Sequence, residues 1–225
     1  MSATPGVSLR VALFDYGVGN LHSLGKALEE GGATVVVTRD WDEAVAMDAL
    51  VLPGVGAFSA AVEALPEDRN RVRDALAAGL PCLGICLGMQ LLFDASEEGA
   101  GTGIGIIPGM VRRLRAQVIP QMGWNVVETK EDPLFEGVGG PSDDDGDAPF
   151  TAYYANSFVC EPADPAHAVA WTTHDGDRFA AAVRRGNTWG VQFHPEKSSV
   201  QGRRLIRNFL AQAASLAPRR GEVAP

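Results

Sequence analysis

The strongest chemical signal in the sequence is the segment Gly84-Ile85-Cys86-Leu87-Gly88. It sits where an apolar run, Pro81 to Ile85, meets a helical pattern, Leu87 to Phe93. A sharp strand-to-helix turn needs small residues two positions either side of its strained centre. That is the pattern of a nucleophile elbow, here with Cys in place of Ser. The turn carries the Cys86 sulfur to the carboxyl edge of the sheet, where open α/β folds bind ligands. It also sets the thiol at the positive end of a helix, which favours the reactive thiolate. Cys82, inside the strand, and Cys160 read instead as buried structural thiols.

A thiol nucleophile needs a base, and the base needs a third group to orient it. Of the four histidines, His22 lies in a helical pattern and His167 and His174 lie in polar loops. His194 ends the apolar run Trp189-Gly190-Val191-Gln192-Phe193 and precedes Pro195 and Glu196. Pro195 favours extended geometry at His194. Residues two apart in extended chain point to one side, so His194 and Glu196 are expected to face the same edge.

Attack on an amide carbonyl creates an oxyanion that needs N–H donors. Pro53-Gly54-Val55-Gly56 follows an apolar run, and its glycines allow backbone N–H groups to turn inward. The N–H of Leu87, just after the nucleophile, is the second candidate donor. Gln90 lies one helical turn beyond Cys86 and can face the same pocket. Glu98 follows and is placed to receive a substrate ammonium. Taken singly, the tetrapeptide is also an ordinary turn, and Gln90 and Glu98 are also ordinary surface groups. Gly101-Thr102-Gly103-Ile104-Gly105 is followed by no helical pattern, which argues against a phosphate-binding loop. The chemistry requires no metal and no organic cofactor.

These groups need a scaffold, and the hydrophobic periodicity supplies one. Leu9 to Phe14, Thr34 to Val37, Ala49 to Leu52 and Pro81 to Ile85 read as strands. Helical patterns run between them: one capped by Asn20 and ended by Gly31-Gly32, then Ala57 to Leu65, Asp68 to Ala78, and Leu87 to Phe93. Alternation of this kind predicts a largely parallel, doubly wound α/β sheet flanked by helices. The second half reads as strands with few helices: Met110 to Leu114, Trp124 to Val127, Ala152 to Val159, Val169 to Thr172, Phe179 to Arg184 and Thr188 to Phe193. Several are expected to be antiparallel, and a helix from Gln201 to Ala214 closes the chain.

A chain of 225 residues fits one domain, expected over 9–216, with flexible ends at 1–8 and 217–225. The stretch 139–149 holds Ser-Asp-Asp-Asp-Gly-Asp and reads as a mobile acidic loop, a solvated insertion more than a cation site. The net charge of −9 argues against a nucleic-acid or anionic-membrane partner. The three cysteines match no zinc spacing, and no signal segment or membrane span is evident. A cytoplasmic setting with free thiols is therefore expected.

Together these residues resemble the class I glutamine amidotransferases, which use a Cys-His-Glu triad. The resemblance spans nearly the whole chain. More narrowly, it is to the glutaminase subunits of the imidazole glycerol phosphate synthases of histidine biosynthesis. Four segments carry that likeness: Asp15-Tyr16-Gly17-Val18-Gly19-Asn20, Pro53-Gly54-Val55-Gly56, Gln121-Met122-Gly123-Trp124-Asn125 and His194-Pro195-Glu196-Lys197-Ser198.

The resemblance implies a flavodoxin-like fold docked as a heterodimer on a (β/α)₈-barrel cyclase subunit. Ammonia from L-glutamine would pass to that subunit, which makes imidazole glycerol phosphate and aminoimidazole carboxamide ribonucleotide. It implies Cys86, His194 and Glu196 as the triad, and Val55 and Leu87 as oxyanion donors. Gly54, Gly56, Gln90, Glu98 and Ser157 would hold glutamine. Asn20, Met122, Trp124, Asn125, Tyr153 and Lys197 would lie towards the partner.

Asn156 stands where the family often has His before the hydroxyl residue, so a titrating role there is lost. Other acceptors, in pyridoxal phosphate, anthranilate or aminodeoxychorismate synthesis, remain alternatives, as do a different Cys-elbow hydrolase, whose acidic member usually precedes the His, and a binding subunit with an idle triad.

Overall fold

The computed structural model describes residues 8–17, 21–54, 56–139 and 149–217. The expected flexible segments 1–8, 139–149 and 217–225 fall chiefly outside these residues. So do Val18, Gly19, Asn20 and Val55.

In chain order the first half comprises β1 (Arg10–Phe14), α1 (His22–Glu30), β2 (Thr34–Thr38), α2 (Trp41–Val45) and β3 (Ala49–Leu52). It continues through α3 (Phe58–Glu63), α4 (Asn70–Ala77), β4 (Cys82–Ile85) and α5 (Leu87–Leu91). The second half is strand-rich: β5 (Ala95–Ser96), β6 (Gly99–Thr102), β7 (Gly109–Arg113), β8 (Gln121–Val126), β9 (Glu128–Thr129), β10 (Thr151–Asn156) and β11 (Phe158–Pro162). It ends with β12 (Ala168–His174), β13 (Asp177–Arg185), β14 (Thr188–Val191) and α6 (Ser199–Leu216).

The central sheet runs β2-β1-β3-β4-β14-β13-β12-β9. From β2 to β14 every neighbouring pair is parallel, and from β14 to β9 every pair is antiparallel. Apart from the edge strand β2, the parallel strands are buried on both faces, which explains their near-continuous apolar runs. Side-chain alternation sorts each strand between two cores. Val11, Leu13, Val51, Leu83 and Ile85 face α1 and α6 through Leu24, Leu28, Ile206 and Phe209. Ala12, Phe14, Leu50, Leu52 and Cys82 face the helices α2 to α5 through Trp41, Phe58, Val72 and Leu87.

Several boundaries depart from the sequence expectation for physical reasons. The single strand expected over Ala152 to Val159 is two, broken at Ser157. β10 pairs antiparallel with β8 in a two-stranded ribbon, while β11 pairs with β7 in a separate four-stranded sheet. Helix α2 was missed, although Asp40 caps it through bonds from Asp42 N and Glu43 N, the usual short-range signature of a helix start. β5 and β9, two residues each, are too short to show a period, and β6 is Gly-Ala-Gly-Thr, with no apolar alternation to read. α1 begins with Leu21 at its N-cap and no side-chain cap, whereas the cap expected at Asn20 lies outside the described residues.

Candidate active site

The elbow forms at the junction of β4 and α5. Cys86 has φ 49° and ψ −104°, a left-handed conformation that costs a non-glycine residue about 1–3 kcal/mol. Its surroundings hold it there. Cys86 N donates to Val191 O at 2.7 Å, and Cys86 O accepts from Gln90 N at 3.0 Å. The flanking glycines are needed for close approach: a Cβ on Gly84 would sit 2.6 Å from Gly88 O, and one on Gly88 would sit 2.0 Å from Leu52 O. Gly54 belongs to the same contact, since a Cβ there would lie 2.8 Å from the Cys86 Cβ.

Parallel pairing of β14 with β4 brings the C-terminal run beside the elbow, with Val191 opposite Ile85. His194 follows that strand and is 3% exposed. Its Nδ1 lies 2.9 Å from Glu196 Oε1. The pairing arises differently from the sequence argument. His194 is extended, but Pro195–Lys197 forms a 3₁₀ turn, and this turn swings the carboxylate back onto the imidazole. Burial lowers the basicity of His194, yet its hydrogen bonds with Cys86 and Glu196 outweigh this and raise its pKa to about 9. Burial pushes the thiols of Cys82 and Cys160 well up, so both are inert at neutral pH.

A cavity of about 370 Å³ opens over the sulfur. Gly54, Gly56, Cys86, Leu87, Gln90 and His194 line it, with Glu98, Ser157 and Lys197 around its mouth and walls. Gln90 Nε2 donates to Phe158 O at 3.4 Å, and Asn156 Nδ2 donates to the same carbonyl at 3.1 Å. Glu98 Oε2 accepts from Phe58 N at 3.2 Å. The cavity thus gathers every described residue expected to bind glutamine; Val55 lies outside the described residues. Among the described residues no group of three or more His, Cys, Asp or Glu side chains suits a metal ion.

The residues expected to face a partner divide. Met122 and Trp124 alternate on the outer face of β8 and are 63% and 56% exposed, with Val126 beside them. Trp124 meets Tyr153 of β10 edge-on at 6.2 Å, and Lys197 Nζ lies 5.8 Å from the Tyr153 ring. Asn125 is on the other face of β8, where its amide donates to Thr173 O at 2.9 Å. Asn20 lies outside the described residues.

Two residues near the triad were missed in the sequence. Ser198 is fully buried, and its hydroxyl donates to His194 O at 2.6 Å. Gln192 is fully buried, with Nε2 3.5 Å from Cys86 Sγ. The available signal for Gln192 was a polar residue inside the apolar run Trp189 to Phe193.

A strained cysteine, a paired imidazole and an adjoining pocket on this sheet are the equipment of an acyl-transfer enzyme acting through a thiol. The chain belongs to the class I glutamine amidotransferases, whose family model matches residues 12–213.

Among curated proteins it is 42% identical over 223 residues to one from Synechococcus elongatus, covering 96% of this chain and 97% of that one. It is 44% identical over 214 residues to one from Gloeothece citriformis, covering 90% and 95%. Both are named imidazole glycerol phosphate synthase subunit HisH. The fold also resembles that of a solved glutamine amidotransferase, with TM-score 0.68, 21% identity, and coverage of 91% of this chain and 98% of that one.

Proposed function

We propose that the chain is the glutaminase subunit of an imidazole glycerol phosphate synthase, hydrolysing L-glutamine through a cysteinyl thioester. The observation that carries this reading is the pairing of His194 Nδ1 with Glu196 Oε1 at 2.9 Å beside a strained Cys86 at the floor of a pocket. Glu196 fixes the tautomer, which leaves His194 Nε2 to serve the sulfur.

Cys86 Sγ attacks the side-chain carbonyl carbon of glutamine, and the carbonyl oxygen takes the negative charge. The N–H groups of Leu87 and Val55 receive that charge. His194 gives its proton to the leaving nitrogen, the C–N bond breaks, and ammonia departs. A γ-glutamyl thioester remains. His194 then takes a proton from water as the water attacks, the C–S bond breaks, and glutamate leaves. Gln90, Glu98 and Ser157 orient the amino-acid end of the substrate, with Gly54 and Gly56 leaving room for it.

The partner in this reading is a cyclase subunit seated on Met122, Trp124, Tyr153 and Lys197, with Asn125 at the margin; Asn20, outside the described residues, is assigned to the same interface. Two large apolar side chains left in water on one strand face support an interface there. The relatives' names support the choice of acceptor. The products at the cyclase would be imidazole glycerol phosphate and aminoimidazole carboxamide ribonucleotide. A cytoplasmic setting fits three unpaired thiols, and no helix among the described residues is long and apolar enough to cross a membrane.

The test is glutamate release from glutamine by the chain alone and mixed with a cyclase subunit carrying its nucleotide ligand. Activity that appears in the mixture and vanishes in Cys86→Ala supports the reading. Undiminished turnover by Cys86→Ala rejects the mechanism, and activity indifferent to the cyclase rejects the acceptor.

A further inference from the structure

Gln192 lies two residues before His194 on the same strand extension, fully buried. Its main-chain N–H donates to Ala181 O at 2.9 Å, which fixes the backbone against β13. Its side chain crosses to the neighbouring parallel strand, where Nε2 donates to Cys86 Sγ at 3.5 Å. Strand register explains the approach. Val191 pairs with Ile85, and Cys86 N donates to Val191 O at 2.7 Å, so the next residue on each strand stands beside its counterpart.

The other half of the amide works against stability. Gln192 Oε1 is buried and has no hydrogen-bond partner among the described residues. A buried acceptor left unmet carries a desolvation cost that an apolar side chain of similar shape avoids. Gln192 shares a strand face with Gly190, whose neighbours there are the apolar side chains of Met89 and Val183, so packing on this face does not call for an amide. The contact that does call for one is the sulfur. A buried polar group left unpaired calls for a specific explanation, a catalytic role among them.

We propose that Gln192 is a further catalytic residue of the hydrolysis, donating one N–H to Cys86 Sγ so that the sulfur is held in line for attack while it bears negative charge. The same bond serves when the thioester breaks and the sulfur again becomes the anionic leaving group. Gln192 and His194 then flank the sulfur from one strand, the amide as a fixed donor and the imidazole as the mobile one. Proton bookkeeping is unchanged, because the amide gives up no proton. The inference rests on Cys86 being the nucleophile.

The test is Gln192→Met, which keeps the length of the side chain and removes both polar atoms, compared with wild type as the full chain and in complex with the cyclase subunit. The expected result is a Tm equal to or above wild type. With it, kcat for glutamate release falls roughly tenfold, the loss of one hydrogen bond to a charged acceptor, while KM for glutamine is nearly unchanged. Alkylation of Cys86 by iodoacetamide, followed by mass on the chain alone, slows in parallel. Unchanged kcat and alkylation overturn the proposal, as does an effect confined to KM. A lower Tm, or a variant that does not fold, also overturns it by making the amide structural. If wild type releases no glutamate in the complex, the glutaminase reading fails, and the alkylation rates still decide the Gln192–Cys86 contact.

Discussion

Tyr153 and His194 hold each other in a closed circuit of backbone contacts. His194 N donates to Tyr153 O at 2.8 Å, Tyr153 N donates to Ser198 Oγ at 3.0 Å, and Ser198 Oγ donates to His194 O at 2.6 Å. The exposed ribbon of β8 and β10 is thereby tied to the main chain that carries the imidazole. A single hydroxyl closes the circuit. Ser198→Ala leaves the Tyr153 N–H unmet, while His194 O keeps its bond from Lys197 N at 3.0 Å, and unfolding free energy should fall by about 1–2 kcal/mol. In the complex, kcat should fall more than KM changes, because the imidazole loses its footing while the pocket remains. Steady-state glutamate release together with urea unfolding measures both effects.

The elevated basicity of His194 sets the response to pH. Its pKa is about 9 in the folded chain against an ordinary 6.5. The stabilisation this represents is fully present below about 6.5 and is lost as pH rises through about 9. Under the proposed mechanism activity follows the same edge, because only the protonated imidazole can deliver a proton to departing ammonia. Turnover should therefore decline above about pH 9. Glu196→Gln removes one of the two partners that raise this pKa, so the alkaline limb should move to lower pH. It should also cut kcat by up to roughly 10⁴-fold through loss of imidazole orientation. Unmoved limbs in the two pH profiles would contradict the assignment.

Glycine at the elbow is a steric requirement with a large penalty. A Cβ on Gly88 would lie 2.0 Å from the backbone oxygen of Leu52, with no flexible side chain to yield. Gly88→Ala should lower unfolding free energy by about 3 kcal/mol, as overpacking of a rigid core does. Gly176, at φ +86° with nothing within 4 Å, is the control. There Ala meets only backbone strain of about 1 kcal/mol. Equal losses in chemical denaturation of the two variants would disprove this account.

Trp124 offers a separation of binding from folding. Its ring is 56% exposed and touches Tyr153 only edge-on. Trp124→Ala should leave the Tm of the isolated chain nearly unchanged and weaken cyclase binding by roughly 1–3 kcal/mol, the range of an aromatic anchor. Titration calorimetry against the cyclase subunit decides it.

Local chemistry was legible in the sequence wherever one residue type is the only physical solution. Gly84 and Gly88 had to be glycines for the chain to turn so tightly at Cys86, and both bear that mark in sequence. The fully buried parallel strands β1, β3 and β4 declared themselves as unbroken apolar runs. His194 and Glu196 were readable as a pair, although the 3₁₀ turn at Pro195 that joins them was not. Contacts made by folding distant segments together left no local trace. Arg112 and Asp177 form a buried bidentate pair across 65 positions. There Asp177 overcomes burial and stays below the usual carboxylate range because Arg112 holds it. The break at Ser157 was hidden because both flanking segments, Tyr153-Tyr154 and Phe158-Val159, favour strands equally well.

The position of β14 has a consequence for the chain as it is being made. This strand follows every other strand of the sheet in sequence, yet it lies between β4 and β13. Cys86 and the parallel strands around it leave the ribosome well before Gln192, His194 and Glu196, with 106 positions separating Gln192 from Cys86. A nascent or C-terminally shortened chain therefore carries a sulfur without its base. Docking β14, with its hairpin partner β13, on β4 is a long-range closure, among the slower steps available to a folding chain. Under the proposed mechanism, hydrolytic competence is thus withheld until that strand has been made and seated.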